Sequence, residues 1–278
     1  MSYQSSFDLH THSTASDGAL SPADLVKKAA HAGVETLALT DHDTISGLCD
    51  AQTAAVKHNI NLINGIELST LWNNKTIHVV GLNINPESKD MIDASHHLKQ
   101  LREERAIKIG EKLSKAGIDG AYENTKQIAG NGTITRQHFA QFLIANGHAK
   151  NQTEVFKRFL VRNKPGYVSV NWPSLDETIN RIDAAGGVAV IAHPLRYKMT
   201  ATSLRKLIAE FKECGGKAIE VVTGHNLPAE IELASNYAKR CNIAASIGSD
   251  FHNENTPWAQ LGKLSALPND LTPVWELW

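Results

Sequence analysis

Histidines and carboxylates recur in this sequence where short apolar runs end. His10 and His12 stand two apart in FDLHTH, a β-type run, so both side chains point to one face. His42 closes the next such run, TLALTDH, with Asp41 before it and Asp43 after it. Glu67 ends GIEL, His78 lies on the following run, and His193 ends VAVIAHP. Glu220 lies in KAIEVV, and Asp250 and His252 follow IAASIGS. Imidazole mixed with carboxylate, without thiolate, suits Zn, Mn or Fe at a site that binds and activates water. One histidine at a strand end is ordinarily structural. The same residue types at one strand end after another point to a metal centre.

The strands that carry them alternate with helices. In SPADLVKKAAHAG, Ser21 caps a helix, Pro22 fits its first turn and Gly33 its end. A second helix is expected from about Thr44 to Lys57. INLINGIELST and TIHVVGLNI read as two strands, with Asn73 and Asn74 in the turn between them. Further on, SLDETINRIDAAGG precedes VAVIAHP, TSLRKLIAEFKECGG precedes KAIEVVTG, and LPAEIELASNYAKRCN precedes IAASIGSD. Repeated helix-then-strand units predict a parallel sheet covered by helices. In a parallel barrel the C-terminal strand ends meet at one mouth, where such folds keep their active sites.

The middle of the chain reads differently. From about Ser88 to Pro165 the periods are helical and several segments close on Gly. This stretch is also locally basic, with Arg102, Arg105, Lys108, Arg136, Arg162 and Lys164 among its charges. The expected organisation is one α/β barrel, formed by residues 1–87 and 166–278, interrupted by a helical insertion over 88–165.

The bulk numbers exclude several alternatives. A hydrophobic share of 42% and a charged share of 21% over 278 residues are those of a globular protein. A net charge of −1 gives no general grip on long nucleic acid, and no stable complex with it is expected. The three cysteines (Cys49, Cys214, Cys241) lack CxxC spacing, which argues against a disulfide framework and against a thiolate zinc site. No basic stretch followed by an apolar run opens the chain, and no window reaches membrane-spanning length, so a cytoplasmic protein is expected.

DLHTHS, TDHD, a late HP and a terminal SDFH, in that order, make the chain resemble the polymerase and histidinol phosphatase (PHP) family. The resemblance covers nearly everything outside the helical insertion. It implies a distorted (β/α)7 barrel holding two or three divalent ions, with Mn favoured and Fe or Zn as alternatives. By resemblance, His10, His12, Glu67 and Asp250 are ligands of a first ion. Glu67, His78 and His193 serve a second, and Asp17, His42 and His252 a third. Some relatives carry His where this chain has Asp17, and a carboxylate there tilts the site towards Mn or Fe. A hydroxide bridging two ions would attack phosphorus, because the metals lower its pKa. His193, Asp43 and the third ion are the candidates for serving the leaving oxygen.

The insertion gives a substrate clue. Arg136 and His138, in TRQHFA, stand near a helix start, where free N–H groups favour anions. Lys164 lies in NKPGYV, just before the chain returns to the barrel. These segments resemble a PHP subgroup that acts on nucleoside 3′,5′-bisphosphates and on the 5′ ends of short RNA. That resemblance implies that Arg136, His138 and Lys164 hold the phosphate that is not cleaved, with His225 of TGHN as a further contact. Trp172 and Tyr167 could stack on a base, although packing between insertion and barrel suits them better. WELW reads as a tail docked on the barrel, and His31, His58, His96, His97 and His148 as surface residues. The leading reading is a metal-dependent phosphoesterase for nucleotides or short oligoribonucleotides. The alternatives are a small-metabolite phosphatase such as histidinol phosphatase, a non-catalytic PHP module, and a C–N hydrolase. Oligomeric state is not legible.

Overall fold

Seven strands follow one another in chain order around a nearly closed barrel in the computed structural model, which describes residues 5–224 and 226–278. They are β1 (Phe7–Asp8), β2 (Thr36–Leu39), β3 (Asn61–Trp72), β4 (Lys75–Leu82), β5 (Val188–Ile191), β6 (Ala218–Thr223) and β7 (Ala244–Gly248). Backbone bonds close the ring between its ends: Leu9 N–H donates to Ile247 O at 3.0 Å, and Thr11 bridges Phe251. The helices α1 (Pro22–His31), α2 (Leu48–His58), α7 (Leu175–Ala184), α8 (Ala201–Glu213) and α9 (Pro228–Cys241) cover the outside. The helices α3 (Lys89–Lys115), α4 (Ala121–Ala129), α5 (Arg136–Ala145) and α6 (Gln152–Val155) come between β4 and α7.

The expected parallel sheet holds for β1–β2–β3 and β5–β6–β7 but fails at β4, which runs antiparallel to both neighbours. The cause is local. Asn73 and Asn74 both take positive φ, 45° and 59°, in a two-residue turn between paired Trp72 and Lys75. That is the geometry of a tight hairpin, which Asn tolerates. Two helix expectations also sharpen. Ser21 accepts the Asp24 N–H at 3.1 Å as the cap of α1. The second helix starts only at Leu48, because Thr44 Oγ1 accepts the Ser46 N–H and holds that stretch in a turn.

Two apolar cores result. The barrel core includes Leu37, Ile66, Val79, Val190 and Ile219, and draws in Met91, Ala94 and Leu98 from the first half of α3. The second core takes Ala106, Ile109 and Leu113 from the other half of that helix, with Phe139, Leu143 and Val155. Phe139 is 1% exposed, and burial of such a side chain contributes about 2–3 kcal/mol. One helix is thus shared by both cores. The chain re-enters the barrel where Leu71 N–H donates to Pro173 O, and the terminal Trp275 stacks on Phe7 at 4.1 Å between ring centroids.

Candidate metal centre

Beyond β1 the chain stays extended, pinned where Thr11 N–H donates to Thr40 Oγ1 (3.1 Å) and Thr11 Oγ1 to Ala38 O (2.7 Å). His10 and His12 therefore alternate with outward-facing neighbours and reach the barrel mouth together. Asp17 and His42 join them from the loops after β1 and β2, Glu67 from within β3, His193 from the end of β5, and Asp250 and His252 from the end of β7. His78 arrives from the antiparallel β4, opposite Ser69, rather than from a C-terminal strand end. Close approach is built into the backbone: a Cβ on Gly248 would lie 2.2 Å from the Cβ of His10. His193 and Asp250 hold left-handed backbone, at φ 31° and 56°, a strained state that clusters at functional sites.

Three overlapping groups have ligand atoms within 4.8 Å of one another: His12, Asp17, His42 and His252; His10, His12 and Glu67; and His42, Glu67 and His78. Glu67 is the hub. Its oxygens lie 2.8 Å from His42 Nδ1, 2.9 Å from His78 Nδ1, 3.2 Å from His193 Nε2, and 3.4 and 3.5 Å from His10 and His12 Nε2. Asp250 Oδ1 lies 3.1 Å from His12 Nε2, and Asp17 Oδ1 3.3 Å from His252 Nε2. His42 Nδ1, His10 Nε2 and Glu67 Oε2 are buried and make no hydrogen bond. His42 Nδ1 and Glu67 Oε2 approach closely without the alignment of a hydrogen bond, as lone pairs do when they converge on a shared cation. The donor set fits divalent metal ions.

The charges agree. Burial works against ionisation of Glu67, yet His42, His78 and His10 hold it well below the ordinary carboxylate range. Asp17 and Asp250 are likewise held low against burial, the first by His42 and His252, the second by His10 and His252. Burial drives His12 down to about 3, with the charge of His252 adding to it. His252 is raised to about 10, since Asp17 and Asp250 outweigh its burial. Three carboxylates thus stay anionic in a buried cluster, and the compensating positive charge can come from protons or from bound cations.

A second layer orients the first. Glu220 Oε1 lies 2.6 Å from His10 Nδ1, and its Oε2 accepts the His193 N–H at 2.5 Å. Such a carboxylate fixes the tautomer of a ligating histidine. Asp41 takes three hydrogen bonds from Ser13 and Ser16. Burial nevertheless pushes Asp41 up to about 6, and it pushes Asp8 up to about 7.

Asp43, expected as a candidate for serving the leaving oxygen, has another task. Both its oxygens are engaged, one by Arg102 Nε at 2.5 Å and the other by the Ser69 N–H at 2.6 Å, and the residue is fully buried. It holds a guanidinium in place. Arg102 also donates to Ser69 Oγ at 3.0 Å.

Facing the ligands across a cavity of about 190 Å³ are Arg102, Arg105, Arg136, Phe156 and Trp172. The Trp172 ring lies under Arg102 and Arg105, at 5.6 and 5.9 Å, and Phe156 under Arg136 at 5.5 Å. Among the described residues no carboxylate lies within ion-pair reach of Arg105 or Arg136. Burial and the neighbouring guanidiniums hold both below the usual arginine range.

Of the expected phosphate contacts, Arg136 lines this cavity. His138 is buried, and its Nδ1 accepts the Thr135 N–H at 3.1 Å, closing the capping box of α5. Lys164 is exposed and lines neither this cavity nor the two that adjoin it, because the return loop turns it outwards. His225 lies outside the described residues. Sequence reasoning underused Arg102 and Arg105, whose three-residue spacing on one helix puts them on one face. It missed Arg196, which pairs with Asp250.

A barrel of this topology with this mouth has a recognised identity: the chain belongs to the PHP domain family, whose model matches residues 8–173. It is a hydrolase of phosphate esters. Its relatives include a 5′-3′ exoribonuclease from Haemophilus influenzae, 44% identical over 97% of this chain and 98% of that one. A 5′-3′ exoribonuclease Rnm from Escherichia coli is 42% identical over 98% and 93%. A 3′,5′-nucleoside bisphosphate phosphatase from Chromobacterium violaceum is 39% identical over 97% and 95%. A solved structure from Chromobacterium violaceum, described as an amidohydrolase with bound sulfate and no metal, superposes with TM-score 0.93 at 39% identity, over 98% of this chain and 95% of that one.

Proposed function

We propose that this enzyme hydrolyses the bond between phosphorus and the 3′ oxygen of a nucleotide that carries a 5′ phosphate, both in nucleoside 3′,5′-bisphosphates and at the 5′ end of short 5′-phosphorylated RNA. The observation that carries the reading is the pair of guanidiniums without counter-ions, Arg105 and Arg136, across a small cavity from the ligand cluster. Buried cations without a partner are costly, and a dianionic phosphate supplies the missing charge with bidentate geometry. The names of the relatives favour nucleotide substrates over a metabolite such as histidinol phosphate.

We assign two or three divalent ions to His10, His12, Asp17, His42, Glu67, His78, His193, Asp250 and His252, with Mn favoured by the carboxylate at Asp17. Such ions, when bound, lower the pKa of water and neutralise the oxygens of the scissile phosphate. The protein does the rest. Asp43 and Ser69 hold Arg102 rigid, and Trp172 supports Arg102 and Arg105 from below. Arg105 and Arg136 fix the distal phosphate, which places the 3′ phosphorus over the ligand cluster. Glu220 orients His10 and the backbone of His193. His193, its Nε2 3.2 Å from Glu67, completes the ring of donors at the rim of the cluster. No helix among the described residues is long and apolar enough to cross a membrane, and the unpaired cysteines suit the cytoplasm.

The test is phosphate release by the Mn-loaded protein from adenosine 3′,5′-bisphosphate, a 5′-phosphorylated RNA trimer and histidinol phosphate, beside Arg136→Ala. Turnover of either nucleotide substrate, lost in the variant, is the expected result. Turnover of histidinol phosphate alone, indifferent to Arg136, would overturn the substrate assignment and leave the metal centre standing. Metal analysis of Asp17→Ala against the unaltered protein tests the third ion independently.

A further inference from the structure

The cavity over the ligand cluster opens at both ends. On one side it meets a cleft of about 600 Å³, sharing Thr76, Arg105, Arg136 and Trp172 with it. On the other it meets a cleft of about 480 Å³, sharing Asp17, Gln137, Asp250 and His252. The two clefts have no lining residue in common. One end of the passage is therefore formed by guanidiniums and the other by metal ligands.

We propose that the cleft at the ligand end is the subsite for the second nucleotide of an RNA substrate, with Trp258 as its stacking platform and Arg196 as its phosphate contact. The proposal rests on the substrate reading given above. A 3′,5′-bisphosphate and a 5′-phosphorylated RNA share the 5′ phosphate, the ribose and a phosphorus on the 3′ oxygen. They differ in one substituent: in RNA, an oxygen of that phosphorus is esterified to the next nucleotide. With the 5′ phosphate at Arg105 and Arg136, that substituent extends away from the guanidinium end. In either substrate a water oxygen bonds to phosphorus, the bond from phosphorus to the 3′ oxygen breaks, and that oxygen takes a proton. The products are a nucleoside 5′-phosphate and either orthophosphate or an RNA one nucleotide shorter. The shortened RNA carries a new 5′ phosphate, ready for the arginines.

The cleft has the chemistry for a nucleotide. Gln137, Gln141, Gln152, Asn253 and Asn255 line it with amides, which both donate to and accept from ribose hydroxyls and base edges. Trp258, 54% exposed, stands in the same wall, and an indole is a side chain on which a base can stack. The backbone of Trp258 and Ala259 is seated on Gly224, where a Cβ would lie 2.9 Å from Trp258 O. Arg196 Nη1 donates to Asp250, while its Nε and Nη2 are buried and unpartnered.

The experiment compares kcat/KM for adenosine 3′,5′-bisphosphate and a 5′-phosphorylated RNA trimer in Trp258→Ala, Trp258→Phe and Lys75→Ala, the last at the opposite cleft. Trp258→Ala is expected to lower turnover of the trimer about tenfold, the size of one base stack, and to change the bisphosphate by less than about twofold. Trp258→Phe, which keeps an aromatic face, should restore most of the loss. Binding of a labelled trimer to metal-free protein should weaken by a similar factor in Trp258→Ala. Equal effects on both substrates, or none on the trimer, would overturn the subsite. So would a trimer-specific loss in Lys75→Ala without one in Trp258→Ala, which puts the RNA in the other cleft. Turnover of the bisphosphate but not the trimer by the unaltered enzyme sinks the subsite and spares the substrate reading. No turnover of either sinks both.

Discussion

The barrel mouth and the helical cap face each other across one cavity and handle buried charge in opposite ways. At the mouth, carboxylates and imidazoles are interleaved, each anion with a histidine within about 3 Å, and with neutral imidazoles the cluster carries the negative charge of its carboxylates. On the cap wall of the cavity, among the described residues, Arg102 has its anion, while Arg105 and Arg136 lie against aromatic rings and each other's charge. A buried cluster of carboxylates and neutral imidazoles is preorganised for cations bound at fixed geometry. A region left positive is waiting for an anion that comes and goes. The contrast separates a cluster suited to held cations from a wall suited to an exchangeable anion.

The largest expected effect breaks the mouth. Glu67→Gln should lower kcat/KM by about 10³-fold or more, since several kcal/mol of metal-derived stabilisation depend on the hub. Elemental analysis should show fewer bound ions, and a variant with full metal content and activity would refute the hub. Next comes the neutralised arginine of the cavity wall. Arg102→Ala leaves Asp43 buried without its cation and should destabilise the fold by about 3–5 kcal/mol in denaturant titration.

Removing an unpaired arginine should do the reverse to stability. Arg105→Ala is expected to cost about 100-fold in kcat/KM on the bisphosphate and nothing on phenyl phosphate, with Tm unchanged or raised. A fall in Tm as large as that of Arg102→Ala would erase the distinction between the two arginines. Glu220→Gln should weaken metal binding by about 10- to 100-fold in competition with a chelator.

The smallest effect concerns the barrel floor. Burial raises Asp8 from 3.8 to about 7, so the folded state keeps a proton there that the unfolded chain has already lost. Its contribution to stability is present below the unfolded value and declines as pH rises from 3.8 towards about 7. Asp8→Asn, neutral throughout, should flatten that slope in thermal melts across the same range.

Much of this was legible because strands have a strict period. His10 and His12 share a face by spacing alone, and runs ending in Glu67, His193, Asp250 and His252 lead the eye to the mouth. Asp17 lies in a loop with no period, so only the resemblance to a family reached it. The direction of β4 was available in Asn73-Asn74, but the dominant helix–strand alternation concealed it. Arg102 and Arg105 could be placed on one helical face, yet a helix charged on several sides does not say which face meets the barrel. Arg196 follows His193 in a short 3₁₀ turn, where side-chain direction depends on a strained backbone that sequence does not encode locally. Lys164 misled because proximity along the chain to the point of return is not proximity to the site.

The pairing of β4 with β5 also bears on synthesis. Leu82 lies beside Val188, so the helical insertion must be translated before the fourth strand finds its neighbour. The second apolar core is local, drawn from Ala106 to Val168, and its contacts close short loops first. On the ribosome the insertion should compact while the barrel is still an open half-sheet with β4 as its exposed edge. The fourth strand then stays an unpaired edge until the whole insertion and β5 have emerged.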